Sequence, residues 1–132
     1  MIVAGFGFRT SADIASLRSA FAAAGGARAS ALATADDKAS APVFVQFAAE
    51  CGLPIHAIAA ADLALLPTLT TSARVQSLYG TGSLAEASAL AAAGPSARLI
   101  APRAISQDGT APAALAERSL PSPSTSSAPA QG

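Results

Sequence analysis

The sequence is poor in the residues that build several common kinds of functional site. Its 132 residues contain one cysteine, one histidine and no tryptophan, and its 8 basic and 8 acidic side chains leave no net charge. A single cysteine excludes a disulfide framework, and one cysteine with one histidine cannot complete a tetrahedral zinc site. Without net positive charge or an aromatic platform, sequence-independent binding to nucleic acid is not expected. We therefore expect no metal site made by the protein and no nucleic-acid partner.

Long hydrophobic segments and targeting signals are also missing. No apolar stretch reaches the roughly 20 residues that are needed to span a membrane. The N-terminus has no basic region, and Arg9 interrupts the first apolar run, so the sequence predicts no signal peptide. The expectation is a cytoplasmic protein without a membrane partner.

Bulky apolar residues are scarce, although the chain is 52% hydrophobic. Alanine alone contributes 37 residues, whereas 13 leucines, 6 isoleucines, 4 valines and 5 phenylalanines make only 28. This bulky fraction lies near the lower limit for a chain that folds around a core. A core is expected where small side chains allow helices and strands to pack closely.

Short apolar segments alternate with segments of helical periodicity along the first 118 residues. Strands are predicted at 2–4, 31–34, 54–59, 98–102 and 111–116, and helices from an N-cap at Thr10 to 24 and at 40–51, 61–66, 72–78 and 83–93. This order predicts a three-layer α/β/α sandwich around a mostly parallel, mixed sheet of about five strands. A short turn joins the last two strands, so one of them is expected to be antiparallel. Residues 119–132 are rich in Ser, Pro and Ala and predict a disordered tail.

The first candidate site is the glycine-rich segment between the first strand and the first helix. It comprises Gly5, Phe6, Gly7, Phe8 and Arg9. Glycines let a ligand approach the backbone, and a helix N-terminus offers free N–H groups to an anion. A dinucleotide-binding loop would have a third glycine at Thr10 and an acidic residue about 20 positions later. A small nucleotide-binding domain is therefore a weaker alternative, and a tight turn with a solvated arginine is the simplest one.

The second candidate is the turn before the last helix, formed by Gly80, Thr81, Gly82 and Ser83. Ser83 and Glu86 have the spacing of a capping box, and two glycines before a capped helix also form an anion-accepting turn. Thr34, Lys38 and Arg103 fall near the ends of predicted strands, where ligands of parallel sheets bind. Together these residues suit a ligand with several carboxylates.

Three other polar features are interpreted structurally. Asp36, Asp37 and Lys38 predict a polar turn after the second strand. Cys51 falls on the apolar stripe of a helix, and His56 falls in an apolar strand, so both are interpreted as packing residues.

Taken in order, several segments resemble one protein family. They are VAGFGFR at 3–9, LATADDK at 32–38, ECGLP at 50–54, GTGSLAEASAL at 80–90, LIAPR at 99–103 and AALA at 113–116. These segments resemble the CobE proteins and the C-terminal domain of CbiG in cobalamin (vitamin B12) biosynthesis, and the resemblance covers residues 2–117. The family often has Cys where this chain has Phe8, an acidic residue shortly after Lys38, and Lys at the position of Arg103.

The resemblance implies a role in building the corrin ring. It implies a precorrin or corrinoid intermediate as ligand, with other enzymes of the pathway as partners and no separate cofactor. Arg9 and Lys38 would then pair with carboxylates, and Phe6 and Phe8 would contact the macrocycle. CbiG-like proteins open the δ-lactone of cobalt-precorrin-5A and release acetaldehyde, so the alternative is a lactone hydrolase with Glu86 as general base. The chain is too short for the additional N-terminal part of CbiG, which favours the CobE-like, ligand-binding reading.

Overall fold

The computed structural model of the protein describes residues 1–9, 11–63, 83–94 and 97–118. The strands are β1 (Ile2–Phe6), β2 (Ala31–Ala35), β3 (Ile55–Ile58), β4 (Ala97–Ile105) and β5 (Pro112–Arg118). The helices are α1 (Ile14–Ala23), α2 (Asp36–Ala39), α3 (Pro42–Cys51), α4 (Ala60–Leu63) and α5 (Leu84–Ala93), and a 3-10 turn spans Gly26–Arg28. The predicted helix at 72–78 and the predicted tail at 119–132 lie outside the described residues.

The five described strands form one open, mixed sheet in the order β3-β2-β1-β5-β4. β1, β2 and β3 pair in parallel, whereas β5 is antiparallel to both of its neighbours, β1 and β4. Four strands therefore run in one direction and β5 runs against them. This confirms the predicted α/β fold with a mostly parallel sheet, including the antiparallel direction of one of the last two strands.

One face of the sheet carries the bulky part of the core. Alternate residues of β1 point to this face, where Phe6 meets α1 and α3. The Phe6 ring lies 5.5 Å from the Phe44 ring and 5.6 Å from the Phe47 ring, measured between centroids. Phe21 and Phe8 complete the cluster, so all five phenylalanines of the chain pack in this layer.

The other face is built from small residues and is covered by α5. A Cβ atom added to Gly5 would lie 2.1 Å from the carbonyl oxygen of Ala85 and 2.5 Å from the amide nitrogen of Ala89. The backbone of α5 therefore approaches the backbone of β1 directly, and every residue from Leu84 to Leu90 is buried. Close approach of this kind explains how an alanine-rich chain forms a core with few bulky residues.

The structure corrects two predictions about helices: the residue that caps α1, and the turn predicted at 36–38. α1 begins at Ile14 with Asp13 as its N-cap, and the Asp13 carboxylate accepts a hydrogen bond from the Ser16 N–H at 2.9 Å. The N-cap predicted at Thr10 is therefore wrong, because Asp13 and Ser16 form a reciprocal capping box at the start of α1. Thr10 itself lies outside the described residues. The predicted polar turn at 36–38 is the short helix α2.

The prediction that His56 is a packed core residue is wrong. Its side chain is exposed, because β3 forms an edge of the described sheet and α5 covers mainly β1, β2 and β5. Cys51 is half-buried at the end of α3, and burial raises the pKa of its thiol. A raised pKa leaves little thiolate near neutral pH, in agreement with a packing role.

A carboxylate in the β4–β5 turn links this turn to the start of α1. Asp108 accepts hydrogen bonds from the hydroxyl groups of Ser106, at 2.6 Å, Thr110, at 2.7 Å, and Ser16. These hydroxyl donors, together with the Thr110 N–H, hold the pKa of Asp108 well below its ordinary value of 3.8. The negative charge of Asp108 therefore stabilises the folded state.

This pKa shift predicts a specific dependence of stability on pH. A carboxyl group whose pKa is lowered by folding stabilises the protein fully at pH values above its ordinary pKa. This stabilisation is lost as the pH falls from the ordinary pKa towards the lower pKa of the folded state. We expect Asp108→Asn to lower the melting temperature near neutral pH and to flatten its decline between about pH 5 and pH 3. Asp62→Asn, which changes an exposed carboxylate on α4, is the control. Equal melting curves for Asp108→Asn and the wild type, followed by circular dichroism, would contradict the assignment.

Candidate functional site

Three cationic residues lie where parallel strands end. Arg9 follows β1, Lys38 lies in α2 directly after β2, and Arg103 lies in the last part of β4. β1, β2 and β4 run in the same direction, so their carboxyl ends share one edge of the sheet. Phe6 and Ala104 both pair with Ala113, which puts the end of β1 and the Arg103 region at the same level. This edge is the usual ligand position in open α/β sheets.

Beyond the end of β1, residues 7–9 form a strand extension, a backbone segment that still bonds to the first residue of β5 and to the turn before it. The Gly7 N–H donates to the Pro112 carbonyl at 3.1 Å, and the Arg9 N–H donates to the Thr110 carbonyl at 2.9 Å. These contacts join residues more than 100 positions apart, and no local sequence signal predicts them. They fix the backbone up to Arg9, whose side chain is exposed.

The opposite side of the same segment is held by side chains from β2 and α2. The Thr34 hydroxyl donates to the Phe6 carbonyl at 2.8 Å, and the Lys38 ammonium donates to the Phe8 carbonyl at 2.7 Å. The Lys38 nitrogen also lies 5.2 Å from the centroid of the Phe8 ring, a cation–π distance. Thr34 and Lys38 therefore position the strand extension that carries Arg9.

The structure assigns packing roles to the two glycines and two phenylalanines predicted to meet a ligand. Gly5 lies beneath α5, and a Cβ on Gly7 would lie 2.9 Å from the Leu84 Cβ. Phe6 is fully buried and Phe8 is 6% exposed. Since side chains alternate along an extended chain, both rings point to the α1–α3 face and both glycines face α5. In this structure the rings are in the core and do not form an open apolar surface.

Ser83 and Glu86 form one half of the predicted capping box. The Ser83 hydroxyl accepts a hydrogen bond from the Glu86 N–H at 3.3 Å. The Glu86 carboxylate, which is fully buried, accepts a hydrogen bond from the backbone N–H of Arg103 at 3.0 Å. The sequence spacing predicts the contact inside the helix, whereas the contact to β4 depends on tertiary structure.

The strand β4 is irregular where it meets Glu86. Its pairing with β5 shifts register between Leu99 and Ala101 and again between Ala101 and Ala104. Such a bulge leaves a backbone N–H outside the ladder, and at Arg103 this N–H is taken by Glu86. The Arg103 side chain is partly exposed, but its Nε atom is buried and has no hydrogen-bond partner in the described part of the chain.

Gly80, Thr81 and Gly82 lie outside the described residues, and their role stays a prediction. Within residues 1–9, 11–63, 83–94 and 97–118, no three His, Cys, Asp or Glu side chains are grouped as a metal site. The same residues contain no helix that is long and apolar enough to cross a membrane.

The fold and the site together define a small, open-sheet α/β domain that presents cationic side chains at the carboxyl ends of its strands. The family described as cobalamin synthesis G C-terminus matches residues 2–116. The crystal structure of CobE, a protein from the cobalamin biosynthetic pathway, matches with a TM-score of 0.79 and 30% identity, covering 90% of this chain and 91% of that chain. The cobalamin biosynthesis protein chiG from Agrobacterium tumefaciens matches with a TM-score of 0.69 and 31% identity, covering 90% and 99%. No curated protein matches the chain.

The chain therefore belongs to the cobalamin synthesis G C-terminus family, which is a family of cobalamin biosynthesis. The resemblance stated from the sequence segments is confirmed, and so is the similarity of the fold to that of CobE.

Proposed function

We propose that this protein binds a precorrin or corrinoid intermediate of cobalamin biosynthesis and presents it to other enzymes of the pathway. The observation that supports this proposal is the exposed Arg9 on a hydrogen-bonded backbone. Its backbone is held by the bond to Thr110, and the preceding residue is held by Lys38, while the arginine side chain itself is exposed. A cation on a rigid support loses less freedom when it binds an anion than one on a mobile loop.

The chemistry of the ligand fits this arrangement. Precorrins carry several acetate and propionate arms around their macrocycle, so they present many carboxylates. Arginine pairs with a carboxylate through two parallel hydrogen bonds, and Lys38 adds a second positive charge beside the same segment. A local attraction of this kind does not require a net charge on the whole chain, which is zero.

Binding is favoured over lactone hydrolysis because of the position of Glu86. A general base must reach the proton that it removes, whereas the Glu86 side chain is fully buried and its carboxylate accepts a backbone hydrogen bond. We therefore propose a binding role for the chain. A lactone hydrolase is the alternative function that the experiments distinguish from binding.

The proposal is tested by titrating the purified protein with hydrogenobyrinic acid and following the visible spectrum. We expect saturable binding that weakens with added salt and an increase in Kd of about tenfold for Arg9→Ala, which removes a charge-assisted hydrogen bond. Arg28→Ala is the matched control. Arg28 is also exposed, but it lies before β2, at the amino ends of the parallel strands, whereas the site lies at their carboxyl ends.

Two results would overturn this proposal. One is the absence of a spectral change at micromolar protein and ligand. The other is release of acetaldehyde from cobalt-precorrin-5A by this chain alone, which would assign it to the hydrolases.

A further inference from the structure

The Glu86 carboxylate links α5 to the backbone of β4. Glu86 is fully buried on α5, within a helical segment whose neighbours are also buried. Burying a carboxylate is costly unless it is satisfied by hydrogen bonds or charges. Its Oε2 atom lies 3.0 Å from the backbone nitrogen of Arg103 and accepts that N–H. The carboxylate therefore fixes a backbone position in a strand of another segment of the chain.

The residue that Glu86 holds is the one with an unsatisfied donor. Buried polar atoms in native proteins are nearly always hydrogen-bonded. The Nε of Arg103 is buried and lacks a partner among the described residues, although the arginine as a whole is partly exposed. Arg103 as a whole is partly exposed, and a guanidinium group donates to carboxylates through its N–H groups, so a carboxylate can bind at the accessible side of this arginine.

The location of Arg103 agrees with this role. It lies in the bulged part of β4, at the level of the end of β1, and so at the sheet edge that also carries Arg9 and Lys38. A bulge redirects the side chains of a strand. Holding its free N–H determines how the Arg103 side chain is presented.

We infer that Arg103 binds a carboxylate of the anionic ligand and that Glu86 is the positioning residue that holds the Arg103 backbone for it. Glu86 acts through the hydrogen bond to the Arg103 N–H and not as a general base. The identity of the ligand rests on the proposed function, whereas the positioning of Arg103 by Glu86 does not.

Two conservative variants of Glu86 separate the effect of side-chain length from the effect of charge. Glu86→Gln keeps a side-chain oxygen at the same distance, so we expect its Kd for hydrogenobyrinic acid to stay within about threefold of the wild type. Glu86→Asp keeps the charge but withdraws the carboxylate by about 1.5 Å, the length of one C–C bond. We expect Glu86→Asp to raise Kd about tenfold.

The Arg103→Ala variant tests whether Arg103 contacts the ligand. The double variant, which combines Arg103→Ala with Glu86→Asp, tests whether the two residues act through one contact. We expect Arg103→Ala to raise Kd about tenfold and Glu86→Asp to add little to it, because residues that act through one contact are not additive. Ser88→Ala is the structural control. Ser88 lies buried on the same helix, with its hydroxyl 3.3 Å from the Ala85 carbonyl, and its loss is expected to lower stability without changing Kd. Circular dichroism establishes that each variant is folded.

Hydrogen exchange of the Arg103 amide in the free protein gives a readout that needs no ligand. We expect protection in the wild type and in Glu86→Gln, and faster exchange in Glu86→Asp. Unchanged exchange in Glu86→Asp, a loss of affinity in Glu86→Gln as large as in Glu86→Asp, or additive losses in the double variant would each overturn the positioning role. Failure of the wild type to bind hydrogenobyrinic acid would instead overturn the proposed function and the ligand contact of Arg103, and the exchange result would stand by itself.

Discussion

Replacing Gly5 by alanine is expected to lower the free energy of unfolding by roughly 3 kcal/mol or more, at or above the upper end of the range for overpacked cores. The added Cβ would lie 2.1 Å from the Ala85 carbonyl oxygen and 2.5 Å from the Ala89 amide nitrogen. Both are backbone atoms of α5, so a rotamer change cannot relieve the clash and the whole helix must move. The reduced entropy of the unfolded chain favours alanine by up to about 1 kcal/mol, which is too little to compensate.

Urea denaturation of Gly5→Ala measures this effect, and Gly52→Ala is the matched control. Gly52 has no atom within 4 Å of an added Cβ, but its φ of +69° is strained for alanine. We expect Gly52→Ala to cost about 1–2 kcal/mol, from backbone strain alone. A cost for Gly5→Ala no greater than that of the control would mean that α5 does not approach β1 as closely as the structure shows.

Replacing Phe44 by alanine is expected to cost about 3–5 kcal/mol. Phe44 is fully buried, and its ring lies 5.5 Å from the ring of Phe6 and 5.4 Å from that of Phe8. It therefore connects α3 to the strand extension that carries Arg9. Because the chain has few bulky side chains, the loss of one ring removes a large share of the core volume.

The neighbouring position on the same helix provides the control for Phe44→Ala. Val45 is 47% exposed, so Val45→Ala is expected to change stability by no more than about 0.5 kcal/mol. Thermal or urea unfolding of the two variants gives the comparison. Similar costs for the two substitutions would contradict the assignment of Phe44 to the core.

The candidate site shows how far local sequence reasoning reaches. The spacing of Ser83 and Glu86 predicts a helix start, and the structure has the predicted bond from the Glu86 N–H to the Ser83 hydroxyl. The bond between the Glu86 carboxylate and Arg103 is not predictable in this way. It requires a register shift in β4, which is a property of how two strands pair.

The glycines of the opening segment show a second limit. The sequence identifies Gly5 and Gly7 as positions where a ligand could approach the backbone closely. In the structure that partner is α5, about 80 residues later in the chain, and the sequence does not distinguish a helix from a ligand. The same holds for Lys38, whose ammonium is predicted to face a ligand and is found bonded to the Phe8 carbonyl.

Helix capping shows the competition between local and tertiary preferences most simply. Thr10 and Asp13 are both good N-cap residues. Asp13 caps α1, because its carboxylate accepts the Ser16 N–H while the Ser16 hydroxyl accepts the Asp13 N–H. The Ser16 hydroxyl also donates to Asp108, so a residue of the distant β4–β5 turn contributes to this cap.

The sequence by itself determined the order of the five described strands, the mostly parallel direction of the sheet and the family. These follow from periodicity, turn residues and segment order, which are properties of neighbouring residues. Only the tertiary structure decided which backbone Gly5 meets, which atoms hold the Arg9 segment, and that Glu86 binds the bulge at Arg103. Each of these contacts joins atoms from separate segments of the chain, so its geometry exists only after the sheet and α5 have packed together.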